Sequence, residues 1–341
     1  MEIHPAHRVR QGLTVRRWSP ANELDEKHRL ADCIIRPRQA QHAQLAWIEF
    51  TGRVADTGYS LQTVDIYRTE RRMHRIASGE FHWTYTLGDL RITALRDGYV
   101  DMPVGRLRQN GDKPFGDDLP PQVALIGGQL RLSVNAFAID DGNEITLIDT
   151  GASNAWHPTM GRLPEALDEA GIDVEKVHTV CFTHTHLDHI HGLVLADGRD
   201  AFPRLARLLV PRQELGLFRA VARLKRFHGM ARPFEAGDSI GTHVDIIGAH
   251  GHEVGHSCFR VSSGGERILI WGDTVHVPSL QFDRPEVTWE FDGDQDQARE
   301  SRLRLLALAA DDLCFVAGAH LDSPGIGRVV RSGGAFRFEP L

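Results

Sequence analysis

From about Trp83 onward, apolar and polar residues alternate in short runs separated by Gly and Asp-Gly pairs: TYTLGDLRITALRDGYVDMP, then LSVNAFAIDDGNEITLIDTG. Side chains of an extended strand point alternately to its two faces, so a period of two predicts a β-meander. The period then lengthens. LPEALDEAG predicts a helix with Pro164 in its first turn and Gly171 at its C-terminal end. VHTVCFTH predicts a strand. Farther on, the pattern predicts a helix over 211–227, strands near 243–247, 257–263 and 267–271, a helix over RESRLRLLALAADD and a last strand CFVAGAH. Gly264 and Gly265 between two apolar runs predict a hairpin. No Gly/Ser-rich linker or solenoid repeat interrupts this order, so residues 83–341 read as one α/β domain. Residues 1–82 are polar, arginine-rich and weakly periodic, with strand-like pieces AWIEFTG and SLQTVDIY. They read as an N-terminal extension packed on the main domain, with a dimerisation arm (hence a homodimer) or partial disorder as alternatives. No activity attaches to them.

Composition bounds the function. The 341 residues are 41% hydrophobic and 25% charged, ordinary for a globular protein. No apolar run approaches the roughly 20 residues of a membrane span, and MEIHPAHRVRQGLTVRRW lacks the apolar centre of a secretion signal. A membrane partner is therefore not expected, and a cytoplasmic address is. The net charge of −7 is uneven: residues 1–82 carry 13 Lys+Arg against 10 Asp+Glu, the remainder 26 against 36. An acidic main body disfavours nucleic acid as a partner. The basic run from Pro211 to Gly229 has Leu215, Phe218, Val221 and Leu224 at helical spacing, so its arginines read as a solvated outer face. Cys33, Cys181, Cys258 and Cys314 form no C-x-x-C pair, which predicts neither a disulfide framework nor a thiolate zinc site. The last three lie in apolar runs and read as small buried side chains.

The chemistry lies in histidine. HGHEVGHS, His250 to Ser257, contains H-E-x-x-H, which in a zinc protease needs His252 and His256 one turn apart on a helix. Gly248, Gly251 and Gly255 each oppose a helix by about 1 kcal/mol, and the flanking runs read as strands. The stretch is expected to be a loop. The densest cluster is CFTHTHLDHIHG, where His184, His186, His189 and His191 fall within eight residues around Asp188. On an extended chain His184 and His186 point to one side and can share a metal ion; Asp188 and His189, after the turn, can face a second. Four donors cannot close two four-coordinate sites. His252, Asp273 and His320 each follow an apolar run beside Gly or Ala, the place where open α/β frameworks deliver site residues. Five histidines and two aspartates suit Zn²⁺, with Mn²⁺, Fe²⁺ and Co²⁺ compatible.

H-x-H-x-D-H, a later G-H-x-x-G-H, a G-D and a final A-H resemble the metallo-β-lactamase fold from about Leu87 to the C-terminus. The resemblance implies a four-layer αβ/βα sandwich with two divalent metal ions at one edge. By position, His184, His186 and His252 would hold the first, Asp188, His189 and His320 the second, and Asp273 would bridge them. Glu253 would be incidental and His256 structural. The family usually has Pro-Gly-His-Thr-Pro-Gly-His here, and this chain departs from it at His250, Glu253 and Val254. SVNAFAIDDGNEITLIDTG, LPEALDEAGIDVEKVHTV, DGRDAFPRL and AGAHLDSPGIGRV most resemble the subgroup of methyl parathion hydrolase and related lactonases and esterases. Asp149 in LIDTG matches the family's buried aspartate, which orients the ligands. Asp273 in place of a cysteine argues against the dizinc β-lactamases proper, and His186 in place of a glutamate against the di-iron flavoprotein branch.

These features imply a metal-dependent hydrolase that directs a metal-bound hydroxide at a small-molecule lactone, carboxyl ester or phosphotriester. Asp188 and Asp273 would act at the reacting centre. Many lactonases of this fold place a tyrosine near the metals, but Tyr59, Tyr67, Tyr85 and Tyr99 all precede residue 100, and His276 in GDTVH is the alternative proton donor. Phe282, Trp289 and Phe291 are the candidate pocket aromatics. A nucleic-acid or thioester hydrolase of the same fold, and a non-catalytic metal-binding protein, are the alternatives.

Overall fold

The computed structural model of the protein describes residues 73–341 except 110–111 and 116–118, together with the backbone of two earlier strands, Ile34–Arg38 and Trp47–Thr51. The chain divides into two units, Met1–Glu70 and Arg71–Leu341. In the first, the two strands pair antiparallel with Pro37 opposite Ile48. Trp47–Thr51 lies in AWIEFTG; SLQTVDIY, Cys33, Tyr59, Tyr67 and the first 18 residues lie outside the described residues.

The second unit holds two large sheets whose strands lie side by side in chain order. The first comprises β1 (Arg75–Ser78), β2 (His82–Leu87), β3 (Leu90–Met102), β4 (Leu130–Asp140), β5 (Ile145–Ile148), β6 (Val177–Cys181), β7 (Arg207–Pro211) and β8 (Ala231–Phe234). From β1 to β5 it is an antiparallel meander. From β5 to β8 it is parallel, with α1 (Leu163–Glu169), α2 (Leu187–Ile190) and α3 (Leu215–Ala220) in the crossovers. The second comprises β9 (Ser239–Ile240), β10 (Val244–Gly248), β11 (Ser257–Ser263), β12 (Glu266–Ile270), β13 (Phe315–Ala317), β14 (Ile326–Ser332) and β15 (Ala335–Pro340). Only its β12–β13 pair is parallel, joined through α4 (Pro278–Gln281) and α5 (Gln295–Asp311). A small third sheet joins Leu107–Gln109 to Lys113–Pro114 and Thr288–Trp289.

Strand alternation sorts the apolar side chains into layers. Between the sheets, Ile92, Phe137, Ile148 and Cys181 meet Ile246, Phe259, Ile268 and Phe315. Outside the first sheet, Leu147, Val180 and Leu208 lie under Leu163, Leu167, Ile190 and Phe218 of the helices. Outside the second, Leu269 and Val316 lie under Leu305, Leu306 and Ala309 of α5. Each buried Val, Leu, Ile or Phe among them stabilises the fold by about 1.5–3 kcal/mol. The layer order is the expected αβ/βα sandwich.

Local differences have local causes. The helix expected over 211–227 breaks at Val221, which is extended (φ −77°, ψ 103°); β-branching favours that conformation, and both Phe218 and Leu224 still reach the core. Helix α5 begins at Gln295 rather than Arg299 because the Asp294 carboxylate accepts the Gln297 N–H at 3.0 Å and caps it. The boundary expected after residue 82 falls inside the first sheet, since β1 hydrogen-bonds to β2. Gly264 and Gly265, with φ of +59° and +84°, make the tight β11–β12 turn that their sequence implies.

Candidate metal centre

Every candidate side chain follows the C-terminal end of a strand. His184 and His186 lie just past β6, Asp188 and His189 on α2, His252 past β10, Asp273 and His276 past β12, and His320 past β13. HGHEVGHS is a turn-rich loop, not a helix. Asp149, immediately after β5, has a left-handed backbone (φ +62°), a conformation Asp tolerates better than most residues. Its carboxylate accepts the Thr183 N–H and O–H, each at 2.8 Å, which ties β5 to the start of the histidine loop. Gly272 (φ +53°) precedes Asp273. A Cβ there would lie 2.7 Å from His256 Nε2 and 2.8 Å from Thr183 Cβ, so only glycine lets the Asp273 N–H reach His256 Nε2 at 3.1 Å.

The fold brings all seven expected ligands together. Their donor atoms form two groups, His184, His186, His252 and Asp273, and Asp188, His189 and His320, each within 4.8 Å. Asp273 stands between them: Oδ2 lies 3.0 Å from His320 Nε2, 3.2 Å from His252 Nε2 and 3.7 Å from His184 Nε2, while Oδ1 lies 3.2 Å from His189 Nε2. Asp188 Oδ2 is 3.6 Å from both His189 Nε2 and His320 Nε2. All are buried except His186, which is partly exposed.

The outward nitrogen of each imidazole is held. His189 Nδ1 donates to Asp149 at 2.9 Å, His252 Nδ1 to Asp292 at 2.8 Å, His320 Nδ1 to the Ser133 carbonyl at 2.7 Å and His184 Nδ1 to the Thr183 hydroxyl at 3.1 Å. Glu253, expected to be incidental, instead accepts from His186 Nε2 at 2.7 Å. His256 supports the site from behind, donating from Nδ1 to the Ala249 carbonyl at 2.8 Å.

These tautomers aim lone pairs inward. His186 Nδ1 and His252 Nε2 face each other at 3.1 Å, although each ring already donates its other N–H to a carboxylate. Lone pair against lone pair is repulsive unless a proton or a cation is shared. A tetrahedral cation with Zn–N near 2.0–2.1 Å spaces its ligands about 3.3 Å apart, close to what is seen. His184 Nε2, His189 Nε2 and Asp273 Oδ1 are buried without a hydrogen-bond partner, a costly arrangement that a metal would satisfy. The donor set fits divalent cations.

Electrostatics point the same way. Burial among other imidazoles holds His184 well below the usual histidine range. Burial opposes protonation of His252 too, yet the Asp273 and Asp292 carboxylates push it up to about 10. Burial likewise disfavours the Asp273 carboxylate, but His320, His189 and His184 hold it well below the ordinary value. The carboxylates here outweigh desolvation and call for positive charge.

His276 lies in the same constellation. Its ring stacks between Trp289 (5.2 Å, 13°) and His320 (5.1 Å, 24°), with Nε2 3.4 Å from Asp273 Oδ2. Burial, opposed by Asp273, lowers it to about 4, so the ring is neutral at pH 7. The opening over the centre is lined by Met102, Leu132, Trp156, Trp289 and Phe291 beside the histidines. Phe282 does not reach it; that ring is in the core under α5, stacked on Phe338 at 5.2 Å. Tyr85 is buried between the sheets and Tyr99 packs under Arg131.

Three supporting residues have no counterpart among the candidates drawn from the sequence. Asp292, before α5, holds His252. Arg302, on α5, is fully buried, donating to the Thr274, Pro285 and Val287 carbonyls and lying 3.4 Å from Asp292. Glu214, fully buried, accepts the Thr185 N–H and O–H (2.7 and 2.8 Å) and the Gly255 N–H (2.9 Å), joining the two histidine loops. None stands in a histidine motif; the only signal was a charge beside or within an apolar run.

Residues 130–320 match the profile of the metallo-beta-lactamase superfamily. The chain belongs to the metallo-beta-lactamase superfamily. The matched stretch runs from β4 to His320 and contains all seven candidate ligands. Metallo-beta-lactamase superfamily proteins are metal-dependent, usually with two ions, and this chain carries two His/Asp groups of donor atoms. The atrochrysone carboxyl ACP thioesterase of Aspergillus fumigatus is 28% identical over 192 residues, 52% of this chain and 52% of that protein. The chain thus matches about half of that relative's length. Among solved structures, the hydrolase AbOPH of the beta lactamase superfamily superposes with a TM-score of 0.68 at 27% identity, covering 78% of this chain and 99% of AbOPH. AidC, a dizinc quorum-quenching lactonase solved with an N-acyl-homoserine product, shares the fold with a TM-score of 0.63 at 20% identity, over 76% of this chain and 97% of AidC. Among the described residues, no helix is long and apolar enough to cross a membrane.

Proposed function

We propose that the protein is a dinuclear metal hydrolase acting on an uncharged ester-type bond: a lactone, a carboxyl ester or a phosphotriester. The observation that carries the reading is the pair of donor groups, His184, His186, His252 and Asp273, and Asp188, His189 and His320, each within 4.8 Å, with Asp273 reaching from the first to His189 and His320 of the second. His184, His186 and His252 would hold one cation, Asp188, His189 and His320 the other, and Asp273 both. Two divalent cations, when bound, make hydroxide available near neutral pH and polarise the bond under attack. Asp188 and Asp273 fix the charge around the reacting atoms. His276, stacked and neutral, presents an N–H to the leaving oxygen.

The opening supports an uncharged, apolar substrate. Trp156 and Phe291, 39% and 44% exposed, stand at it with Met102 and Leu132. Arg106, over the Phe291 ring at 4.8 Å, and Arg108 both pair with Glu290, so these guanidinium groups are already committed. A thioester is the second reading, favoured by the thioesterase relative.

The test is the initial rate of zinc- and manganese-reconstituted protein on an acyl-homoserine lactone, an aryl ester, an aryl phosphotriester and an acyl thioester, with His189→Ala beside it. Turnover of one of the first three that the variant loses is expected. Selective turnover of the thioester would install the second reading. Background rates on all four with two ions bound would end the proposed substrate class.

A further inference from the structure

Four of the candidate histidines are oriented by buried groups: Asp149, Asp292, Thr183 and the Ser133 carbonyl. His186 differs. Its side chain is 33% exposed, and the group that holds it, Glu253, is 25% exposed. Packing alone therefore leaves this imidazole free to turn toward solvent. Glu253 immediately follows His252, so one loop supplies both a donor atom facing His186 Nδ1 and the carboxylate that grips His186 Nε2 from outside.

The loop is rigid enough for the task. Its Gly255 N–H is anchored by buried Glu214, which also accepts the Thr185 N–H and O–H next to His186. The Glu253 carbonyl accepts the Gly251 and His256 N–H groups, each at 3.2 Å. The two histidine loops are thus joined through Glu214, through the Ser257 N–H on the Thr183 carbonyl at 2.9 Å, and through Glu253 on the His186 ring.

We propose that Glu253 is a positioning residue for His186, fixing the tautomer that turns Nδ1 inward and strengthening cation binding at the His184, His186 and His252 subsite alone; this rests on the dinuclear reading above. A carboxylate on the far nitrogen of a ligating imidazole fixes ring orientation and raises ligand basicity, and losing such a partner costs about 10–100-fold in metal affinity. Asp188, His189 and His320 make no contact with Glu253 and should be indifferent to it.

The experiment is competitive chelator titration with zinc on the full-length protein and on Glu253→Ala and Glu253→Gln, with melting curves of the metal-free forms. Wild type should bind two ions. Glu253→Ala should weaken one step by about 10–100-fold and leave the other and the metal-free melting temperature unchanged. Glu253→Gln keeps an acceptor without the charge and should recover part of the loss. Two unaltered affinities in Glu253→Ala would overturn the proposal. Equal weakening of both steps, or a lower metal-free melting temperature, would also overturn it by making Glu253 a loop-folding residue. A wild-type chain that binds fewer than two ions would instead sink the dinuclear reading.

Discussion

His189 Nδ1 donates to Asp149 Oδ2 at 2.9 Å; Asp149 immediately follows β5, and His189 lies on α2 beyond the adjacent parallel strand β6. The same Asp149 oxygen accepts from the Thr183 hydroxyl at 2.8 Å, which in turn accepts from His184 Nδ1. One carboxylate therefore sets the tautomers of a histidine in each group of ligands.

Asp149→Asn places a donor where two donors already point. His189 must then turn or change tautomer. Metal affinity and kcat/KM should fall by about 10–100-fold, with a stability loss of about 1–3 kcal/mol. Metal content after dialysis and steady-state kinetics measure this; wild-type values in both would show that the His189–Asp149 contact is passive.

His276 invites a substitution that keeps its shape. Phenylalanine at this position preserves the stack between Trp289 and His320 and removes both ring nitrogens. If His276 assists the leaving group, His276→Phe lowers kcat by about 10²–10⁴-fold with little change in KM. The loss should shrink for substrates with better leaving groups. A kcat that stays at the wild-type level across such a series would leave His276 a packing residue.

Arg302 carries a prediction about stability. Its guanidinium serves three carbonyls and lies beside Asp292, in full burial. Arg302→Met fills the volume but strands those acceptors and leaves Asp292 with His252 as its remaining charged partner. A loss of about 3–5 kcal/mol is expected, read as a lower urea midpoint with an unchanged m-value. A shift under 1 kcal/mol would mean that water replaces the guanidinium.

The clustering of the candidate ligands was legible in the sequence because each follows an apolar strand, and the alternation that defines those strands also fixes where they end. The strands followed from the same pattern, and the layers from the family resemblance. Glu253, Asp292, Glu214 and Arg302 were not legible. A charged residue that orients a ligand from another loop has no periodicity or fixed spacing, and it looks the same in sequence as a solvated one until the loops are brought together. Val221 departs from expectation for a related reason: helical spacing of Phe218 and Leu224 is also met by two short turns that bury the same side chains. Phe282 lies near the ligands in sequence, yet its ring turns into the core under α5.

Asp97, which is not one of the candidate ligands, gives the molecule a pH dependence of its own. It is fully buried on β3, accepting the Ala152 N–H at 2.9 Å and the Leu163 N–H at 3.0 Å, and so joins the loop after β5 to the start of α1. Burial, only partly offset by these N–H groups and helped by the charge of Asp188, raises its pKa from 3.8 to about 6. Because the folded value lies above the unfolded one, the stability contributed is fully present below pH 3.8 and is lost as pH rises through about 6. Asparagine cannot titrate. Each pH unit separating the folded and unfolded values is worth about 1.4 kcal/mol, so the stability of wild type relative to Asp97→Asn should fall by on the order of 3 kcal/mol between about pH 4 and pH 7. Urea unfolding of both proteins in chelator across that range measures the difference. A difference that is flat or rises with pH would mean that the N–H groups of Ala152 and Leu163 keep the carboxylate ionised throughout.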